Sequence, residues 1–108
     1  MRKTITVFRG DGIGPELTDA VLKILKAANA PLDYEIFEVG EAEWKRNGEL
    51  IPARAYASFE KNRVLLKAPI TTPVGKGFRS LNVRLRKKYQ LYANIRPIKS
   101  NVAVKTPY

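Results

Sequence analysis

The amino-acid sequence predicts an α/β protein in which strands alternate with helices. Three observations support this fold class: a β-branched and aromatic segment at residues 4–8, apolar residues at helical spacing after Pro15, and further short apolar segments separated by Pro- and Gly-containing stretches. Alternation of this kind is typical of proteins whose helices cover a sheet. With 108 residues, 44% of them hydrophobic, the chain is expected to form a single domain.

The first half of the chain predicts two strands and one helix. Residues 4–8 (TITVF) form the first strand and lead into a Gly-rich turn. Pro15 and Glu16 suit the first turn of a helix, because Pro needs no N–H partner there and the helix dipole favours an anion. The second strand is predicted at residues 34–39, and a polar stretch with an Asn47-Gly48 turn follows. The helix has one apolar stripe, formed by Leu17, Ala20, Val21, Ile24, Leu25 and Ala28.

The second half predicts two further helices and two strands. Pro52 opens a short helix through Phe59, and residues 64–66 form a brief buried strand. Residues 69–77 have the composition of a loop. Ser80 is expected to cap a helix through Lys88. Residues 91–98 alternate as a strand that places Leu91, Ala93 and Ile95 on one face and Tyr92, Asn94 and Arg96 on the other.

Composition excludes several kinds of chemistry. The chain has no Cys and no His, so disulfides, thiolate catalysis, zinc sites and His-based proton transfer cannot be built from it. No apolar run approaches the length that spans a membrane, and the first residues lack the features of a signal peptide. We therefore expect a cytoplasmic protein that does not bind membranes.

The net charge of +10 indicates anionic partners, since twenty Lys and Arg face ten acidic residues. Eleven of the basic residues lie between Lys61 and Lys99. Three interpretations are compatible with this charge: a solvated surface, a nucleic-acid-binding surface, or a pocket for a small polyanion such as a tricarboxylate.

The Gly-rich segment at residues 10–16 (GDGIGPE) lies between a predicted strand and a predicted helix. Glycines there allow positive φ and close approach of a ligand, and free N–H groups at a helix start face an anion. The dinucleotide fingerprint G-x-G-x-x-G fails, because Pro15 occupies the position of its third glycine. From the residues alone, a cofactor contact and a tight turn without a ligand both remain open.

A second constellation surrounds the predicted helix at residues 80–88. Ser80 lies at its positive end, and Asn82 and Arg86 are four residues apart and share one face. Arg96 would reach the same place from the following strand. Two guanidiniums with a hydroxyl and an amide could hold several carboxylates, because Arg binds carboxylates through two hydrogen bonds. The alternative is a capped helix with exposed arginines.

Together these motifs resemble the isocitrate dehydrogenase family, which belongs with the 3-isopropylmalate and homoisocitrate dehydrogenases to the decarboxylating β-hydroxyacid dehydrogenases. The resemblance rests on the order and spacing of residues 10–16, 67–69, 71–75, 79–82 and 92–97. It implies that the chain is an N-terminal segment of that family, part of the large domain of the isocitrate/isopropylmalate dehydrogenase fold.

The resemblance also implies a site and a reaction. Ser80, Asn82, Arg86 and Arg96 would bind the carboxylates of isocitrate, and Ile13 and Thr72 would lie near the nicotinamide of NAD or NADP. The complete enzyme would be a cytoplasmic homodimer of the tricarboxylic acid cycle that converts isocitrate to 2-oxoglutarate with Mg or Mn as Lewis acid. In some bacterial members the serine that matches Ser80 is phosphorylated, and a phosphate there would repel the substrate.

In the family, the catalytic Tyr and Lys and the metal-binding aspartates lie beyond the position of Tyr108. We therefore expect no catalytic residue and no metal ligand within this chain, and no turnover by the chain alone. The sequence departs from the family pattern at Phe8-Arg9, Ala68, Lys76 and Arg84. Alternatives are a related 3-isopropylmalate or homoisocitrate dehydrogenase, a non-catalytic subunit that binds isocitrate, and a nucleic-acid-binding module, which we disfavour because no known nucleic-acid motif is present.

Overall fold

The computed structural model describes residues 1–71 and 80–103. The described chain contains β1 (Lys3–Phe8), α1 (Gly14–Ala27), β2 (Leu32–Phe37), α2 (Glu41–Asn47), α3 (Ala53–Asn62), β3 (Leu65–Lys67) and α4 (Leu81–Lys88). The three strands form a parallel sheet in the order β2-β1-β3. This arrangement confirms the predicted α/β class. In this part of the chain no helix is both long and apolar enough to cross a membrane.

The central strand β1 is covered on both faces. Ile5, Thr6, Val7 and Phe8 are all buried, as expected for a parallel strand with two neighbours. Thr6 pairs with Glu35 of β2 on one side and with Leu65 of β3 on the other. The strand therefore ends at Phe8 with its carboxyl end pointing toward the same edge of the sheet as its neighbours.

The main core lies on the side of the sheet that α3 and α4 cover. Leu81 and Leu85 are one helical turn apart, and their burial fixes α4 against this core. By contrast, α1 leaves much of its predicted apolar stripe exposed, with Ile24 66% accessible. The core residues are Phe8, Val39, Leu50, Ile51, Ala55, Leu81 and Leu85.

A buried polar network joins β1, β2 and α3. The Thr6 and Ser58 hydroxyls lie 2.7 Å apart, and Asn62 Nδ2 donates to Thr6 Oγ1 at 3.0 Å and to Glu35 Oε2 at 3.0 Å. Ser58 also donates to Glu35, and Lys61 Nζ donates to Glu35 Oε1 at 2.7 Å. Each buried oxygen and nitrogen of this network thus has a partner, which buried polar groups require.

Several predicted elements need correction. The polar stretch before Gly48 forms helix α2, and Gly48 ends it in the left-handed conformation at φ 74°. Residues 91–98 form no strand, because no strand in the described chain pairs with them and an isolated strand leaves its N–H and C=O groups unbonded. Ser80 is the N-cap residue of α4, but its side chain makes no capping hydrogen bond. Of the predicted loop at residues 69–77, residues 72–77 lie outside the described chain.

Candidate functional site

Three loops meet at the carboxyl edge of the parallel sheet, and Asp11 joins them. Its carboxylate accepts hydrogen bonds from the N–H of Glu41 at 3.0 Å and from the N–H of Thr71 at 2.6 Å. Its own N–H donates to the carbonyl of Pro69 at 3.2 Å. The segments that follow β1, β2 and β3 are therefore held together where ligands bind in open α/β sheets.

The pKa of Asp11 reflects this role. Burial by itself raises the pKa of this carboxyl, but the hydrogen bonds from Glu41 and Thr71 favour the charged form and bring the pKa below its ordinary value of 3.8. Asp11 is thus a charged anchor of the loops. Sequence reasoning had treated it only as one member of the GDGIG turn.

Glycine is required at the point where the first loop crosses the third. Gly10 has φ +70°, and a Cβ there would collide with the carbonyl oxygen of Pro69. Gly14, at the start of α1, would carry a Cβ into the carbonyl oxygen of Arg9. Gly10 and Gly14 are therefore needed because backbone segments pack closely against them. This packing explains two glycines of the GDGIG segment without a ligand.

The turn also presents free backbone donors to solvent. Ile13 is the N-cap residue of α1, and its side chain is 63% exposed. The N–H groups of Gly12 and Ile13 have no acceptor within residues 1–71 and 80–103. These donors are available to a bound group. Thr72, the other residue predicted to lie near a cofactor, falls outside the described chain.

Arg9, which directly precedes the GDGIG segment, braces this turn. Its guanidinium lies 2.8 Å from Asp19 Oδ2 on α1 and 3.1 Å from Glu38 Oε1 just after β2. It therefore ties the first half of α1 to the end of β2. An arginine is accommodated before GDGIG because two carboxylates from different elements compensate its charge.

A cationic cavity of about 410 Å³ lies between β3 and α4. Asn82 and Arg86 line it from one face of α4, as their spacing predicted, and Lys67 lines it from the end of β3. Three of its described lining residues are basic, Arg63, Lys67 and Arg86, and none is acidic. The rest of its wall is mostly apolar: Phe59, Val64, Leu65, Leu85, Tyr89 and Leu91.

Two features of this cavity bear on its ligand. The Oδ1 atom of Asn82 is buried and has no hydrogen-bond donor in the described chain, so a hydroxyl group of a ligand could donate to it. Burial, with the nearby charge of Arg86 as a second cause, lowers the pKa of Lys67 below its ordinary value of 10.5. A bound carboxylate would stabilise the charged form of Lys67 and so offset the effects of burial and of the Arg86 charge.

Lys67 is a cavity residue to which the sequence analysis assigned no role, although it lies in the matched segment 67–69. Its Nζ donates to the carbonyl of Ala68 at 2.8 Å, and its side chain is partly buried. The signal that could have found it is a cation immediately after a short buried strand, because such positions lie at the carboxyl edge of a parallel sheet.

The other two predicted carboxylate ligands are not among the described residues that line this cavity. Ser80 is exposed directly before α4. Arg96 is exposed in a segment without regular structure, and its Nε donates to Asn94 Oδ1 at 3.3 Å. The geometry brings together Asn82 and Arg86, and the joint role of all four residues stays a prediction.

Comparison with known proteins gives consistent matches along the chain. A family model described as isocitrate/isopropylmalate dehydrogenase matches residues 4–108. An NADP isocitrate dehydrogenase of Thermus thermophilus is 50% identical over 99% of this chain and 22% of its own length. A probable mitochondrial NAD isocitrate dehydrogenase subunit alpha of Drosophila melanogaster is 47% identical over 98% of this chain and 28% of its own length.

Solved structures match in the same way. The TT0538 protein of Thermus thermophilus superposes with a TM-score of 0.87 at 50% identity, covering 99% of this chain and 22% of that protein. A β-decarboxylating dehydrogenase of Thermococcus kodakarensis superposes with a TM-score of 0.72 at 33% identity, covering 83% of this chain and 27% of that protein. The chain thus spans between a fifth and a third of the length of these relatives.

Proposed function

The chain belongs to the isocitrate/isopropylmalate dehydrogenase family, and from this premise we propose that it supplies part of the substrate site of an enzyme that converts isocitrate to 2-oxoglutarate. The reaction is an oxidative decarboxylation with reduction of NAD⁺ or NADP⁺. The observation that carries the proposal is the cavity at Lys67, Asn82 and Arg86.

The charge of the cavity suits a tricarboxylate. Three cations without a described acidic neighbour provide a positive field, and the guanidinium of Arg86 can hold one carboxylate through two hydrogen bonds. Asn82 lies one turn away on the same helix and can contact a second polar group of the same molecule. These residues orient the substrate and stabilise charge, and we assign no proton transfer to them.

Isocitrate is preferred over 3-isopropylmalate in this proposal because of the polar residues at the start of α4. An isopropyl group would leave the amide of Asn82 and the hydroxyl of Ser80 without partners, whereas a third carboxylate can accept hydrogen bonds from them. Ser80 and Arg96 join the site in this proposal as further carboxylate ligands. The related 3-isopropylmalate and homoisocitrate dehydrogenase activities are the alternatives.

The cofactor fits the turn that precedes α1. NAD or NADP supplies the hydride acceptor, and Ile13 and Thr72 are the residues we propose to lie near its nicotinamide. The free N–H groups of Gly12 and Ile13 support a ligand there. Glu16, in the first turn of α1, would repel the pyrophosphate of the cofactor but would attract its cationic oxidised nicotinamide ring. This charge supports a position of the nicotinamide end, rather than the pyrophosphate, near the turn.

A divalent Mg or Mn would act as Lewis acid on the keto oxygen in the complete enzyme. Residues 1–71 and 80–103 contain no group of three carboxylates or other ligand side chains that could hold a metal. We therefore propose that the metal ligands, like the residues that transfer protons, come from the part of the family chain that this segment does not span. A homodimer in the cytoplasm, active in the tricarboxylic acid cycle, completes the proposal.

Titration of isocitrate into the chain tests the substrate site directly. We expect Arg86→Met to weaken binding about tenfold or more, because one charge-assisted hydrogen bond contributes roughly 1.5–3 kcal/mol. The matched control is Arg54→Met, which removes an exposed arginine of α3 that does not line the cavity. Equal effects of the two changes, or tighter binding of 3-isopropylmalate than of isocitrate, would contradict the proposal.

Activity provides the second test. Magnesium-dependent reduction of NAD(P)⁺ by isocitrate should be absent with this chain alone and present when the remaining portion of a family enzyme is supplied. Arg96→Met should then raise the Michaelis constant for isocitrate, and an unchanged constant would remove Arg96 from the site. Salt-dependent binding of duplex DNA would instead favour the nucleic-acid alternative.

A further inference from the structure

A second cavity, of about 310 Å³, lies between α2, α3 and α4. Two of its lining residues, Leu50 and Ile51, are buried members of the main core. Two aromatic side chains, Trp44 and Tyr56, pack against the same core and also line the cavity, which we call the aromatic pocket. Its volume lies at the small end of the range for ligand pockets, roughly 300–1,000 Å³. The aromatic pocket therefore suits a small molecule with an apolar part.

Two opposite charges line the aromatic pocket. Glu49 lies between α2 and α3, and Arg84 lies on α4. Both charges act on the phenol of Tyr56: burial raises the pKa of this group above its ordinary value of 10.0, the charge of Arg84 opposes the rise, and the charge of Glu49 adds to it. Within residues 1–71 and 80–103, neither Glu49 nor Arg84 forms a salt bridge. A ligand with one negative and one positive group can therefore pair with both side chains.

We propose that the aromatic pocket binds a free α-amino acid with an apolar or aromatic side chain. Arg84 holds the carboxylate through its guanidinium, and Glu49 accepts hydrogen bonds from the ammonium group. The side chain of the ligand packs against the rings of Trp44 and Tyr56 and removes apolar surface from water. The inference does not depend on the dehydrogenase function.

Ligands with only one charge fit the aromatic pocket less well. A carboxylate without an ammonium group leaves Glu49 unpaired and is repelled by it, and an amine without a carboxylate is repelled by Arg84 in the same way. Glycine carries both charges but leaves the apolar lining of the pocket in contact with water. The amino-acid ligand thus follows from the combination of aromatic surface with two opposite charges.

Helix α4 separates the aromatic pocket from the cationic cavity. Asn82 and Arg86 line the cavity, whereas Arg84 is two residues from each, projects from the opposite side of the helix and lines the pocket. The described residues that line the two cavities are all different. We therefore expect that isocitrate, whose proposed site is the cationic cavity, does not displace the amino acid.

Trp44 provides a direct measurement of binding, because it is the only tryptophan of the chain and lines the pocket. Titration of L-phenylalanine into the full chain should change the tryptophan fluorescence until the site is saturated. Three analogues should each bind at least about tenfold more weakly: 3-phenylpropanoate, which lacks the ammonium group, 2-phenylethylamine, which lacks the carboxylate, and glycine, which lacks the ring. An excess of isocitrate should leave the affinity for L-phenylalanine unchanged.

Two substitutions assign a ligand group to each charge. Arg84→Gln should weaken binding of L-phenylalanine about tenfold but should not weaken binding of 2-phenylethylamine, which has no carboxylate. Glu49→Gln should likewise weaken binding of L-phenylalanine but should not weaken binding of 3-phenylpropanoate. The matched control is Arg54→Gln, which removes an arginine of α3 that does not line the pocket. All three positions are exposed, and circular dichroism verifies that each variant is folded.

Several results would overturn the proposal. One is the absence of L-phenylalanine binding both in the fluorescence titration and in isothermal titration calorimetry. Another is binding of 3-phenylpropanoate or 2-phenylethylamine as tight as that of L-phenylalanine, since one of the two charges would then have no role. Equal effects of Arg84→Gln and Arg54→Gln, or displacement by isocitrate, would show that the amino acid binds elsewhere. Loss of binding when the remaining portion of a family enzyme is supplied would show that this portion fills the pocket.

Discussion

Replacing Asp11 by Asn tests whether one carboxylate holds the candidate site together. The side chain keeps its shape but loses its charge, and its amide nitrogen would face the N–H of either Glu41 or Thr71. The two hydrogen bonds of 3.0 and 2.6 Å connect the segments after β2 and β3 to the segment after β1. We expect the loops to loosen while the sheet remains intact.

The expected loss follows from these contacts. Hydrogen bonds to a charged acceptor contribute about 1.5–3 kcal/mol each, but Asp11 is only partly buried, so solvent screening reduces the total to about 1–2 kcal/mol. The pKa of Asp11 is lowered in the folded state, so this stabilisation is fully present at pH values above the ordinary pKa of 3.8. It is lost as the pH falls through the lower folded pKa.

Urea denaturation at several pH values measures the difference between the two proteins. Asp11→Asn should lower the free energy of unfolding near neutral pH, and the difference should narrow as the pH falls below 3.8. The control is Asp33→Asn, which removes an exposed ion pair with Arg2 and should cost less than about 1 kcal/mol. Equal stability of wild type and Asp11→Asn at neutral pH, or a difference independent of pH, would refute the reasoning.

Three further predictions concern stability. Phe8→Ala should lower the free energy of unfolding by about 3–5 kcal/mol in urea denaturation, because Phe8 is fully buried in the core. Gly10→Ala should lower the melting temperature more than Gly48→Ala, although the two glycines have a similar φ. The reason is that a Cβ at residue 10 would collide with the backbone of Pro69, whereas a Cβ at residue 48 would meet no atom. Equal melting temperatures of the two variants would contradict this. The hydrogen bond from Lys61 is the largest of several that lower the pKa of Glu35 from 4.5 to about 2. The free energy of unfolding should therefore fall as the pH drops from 4.5 to about 2. Glu35→Gln should remove this part of the pH dependence, which thermal melts at a series of pH values would measure.

The elements with strong local signals were predicted from sequence. The strand at residues 4–8 and the helix that Pro15 opens agree with β1 and α1 to within about one or two residues. Helix α2 was missed because its seven residues are mostly polar, and its boundaries depend on Gly40 and Gly48 rather than on an apolar stripe. The prediction of a strand at residues 91–98 was wrong for a different reason. The residues alternate between apolar and polar as in a strand, but no strand of the described chain lies beside them to form backbone hydrogen bonds.

The candidate site was only partly predictable. The spacing of Asn82 and Arg86 placed them on one helical face, and the structure shows both at the cationic cavity. Lys67 joins them from the end of β3, fifteen residues before Asn82. Its place after a short apolar run indicates the carboxyl edge of the sheet, but the approach of α4 to that edge is set by tertiary packing. The anchoring role of Asp11 also depends on Thr71, sixty residues away.

The sequence by itself determined the α/β class, the main helix and the positive charge of the second half, which follow from local spacing and composition acting over a few residues. Its motifs also resemble the family to which the comparisons assign the chain. Only the tertiary structure decided that Asp11 fastens three loops, that Lys67 shares a cavity with Arg86, and that residues 91–98 lack a strand partner in the described chain. The physical reason is that burial, charge proximity and strand pairing are set by contacts between segments far apart in sequence.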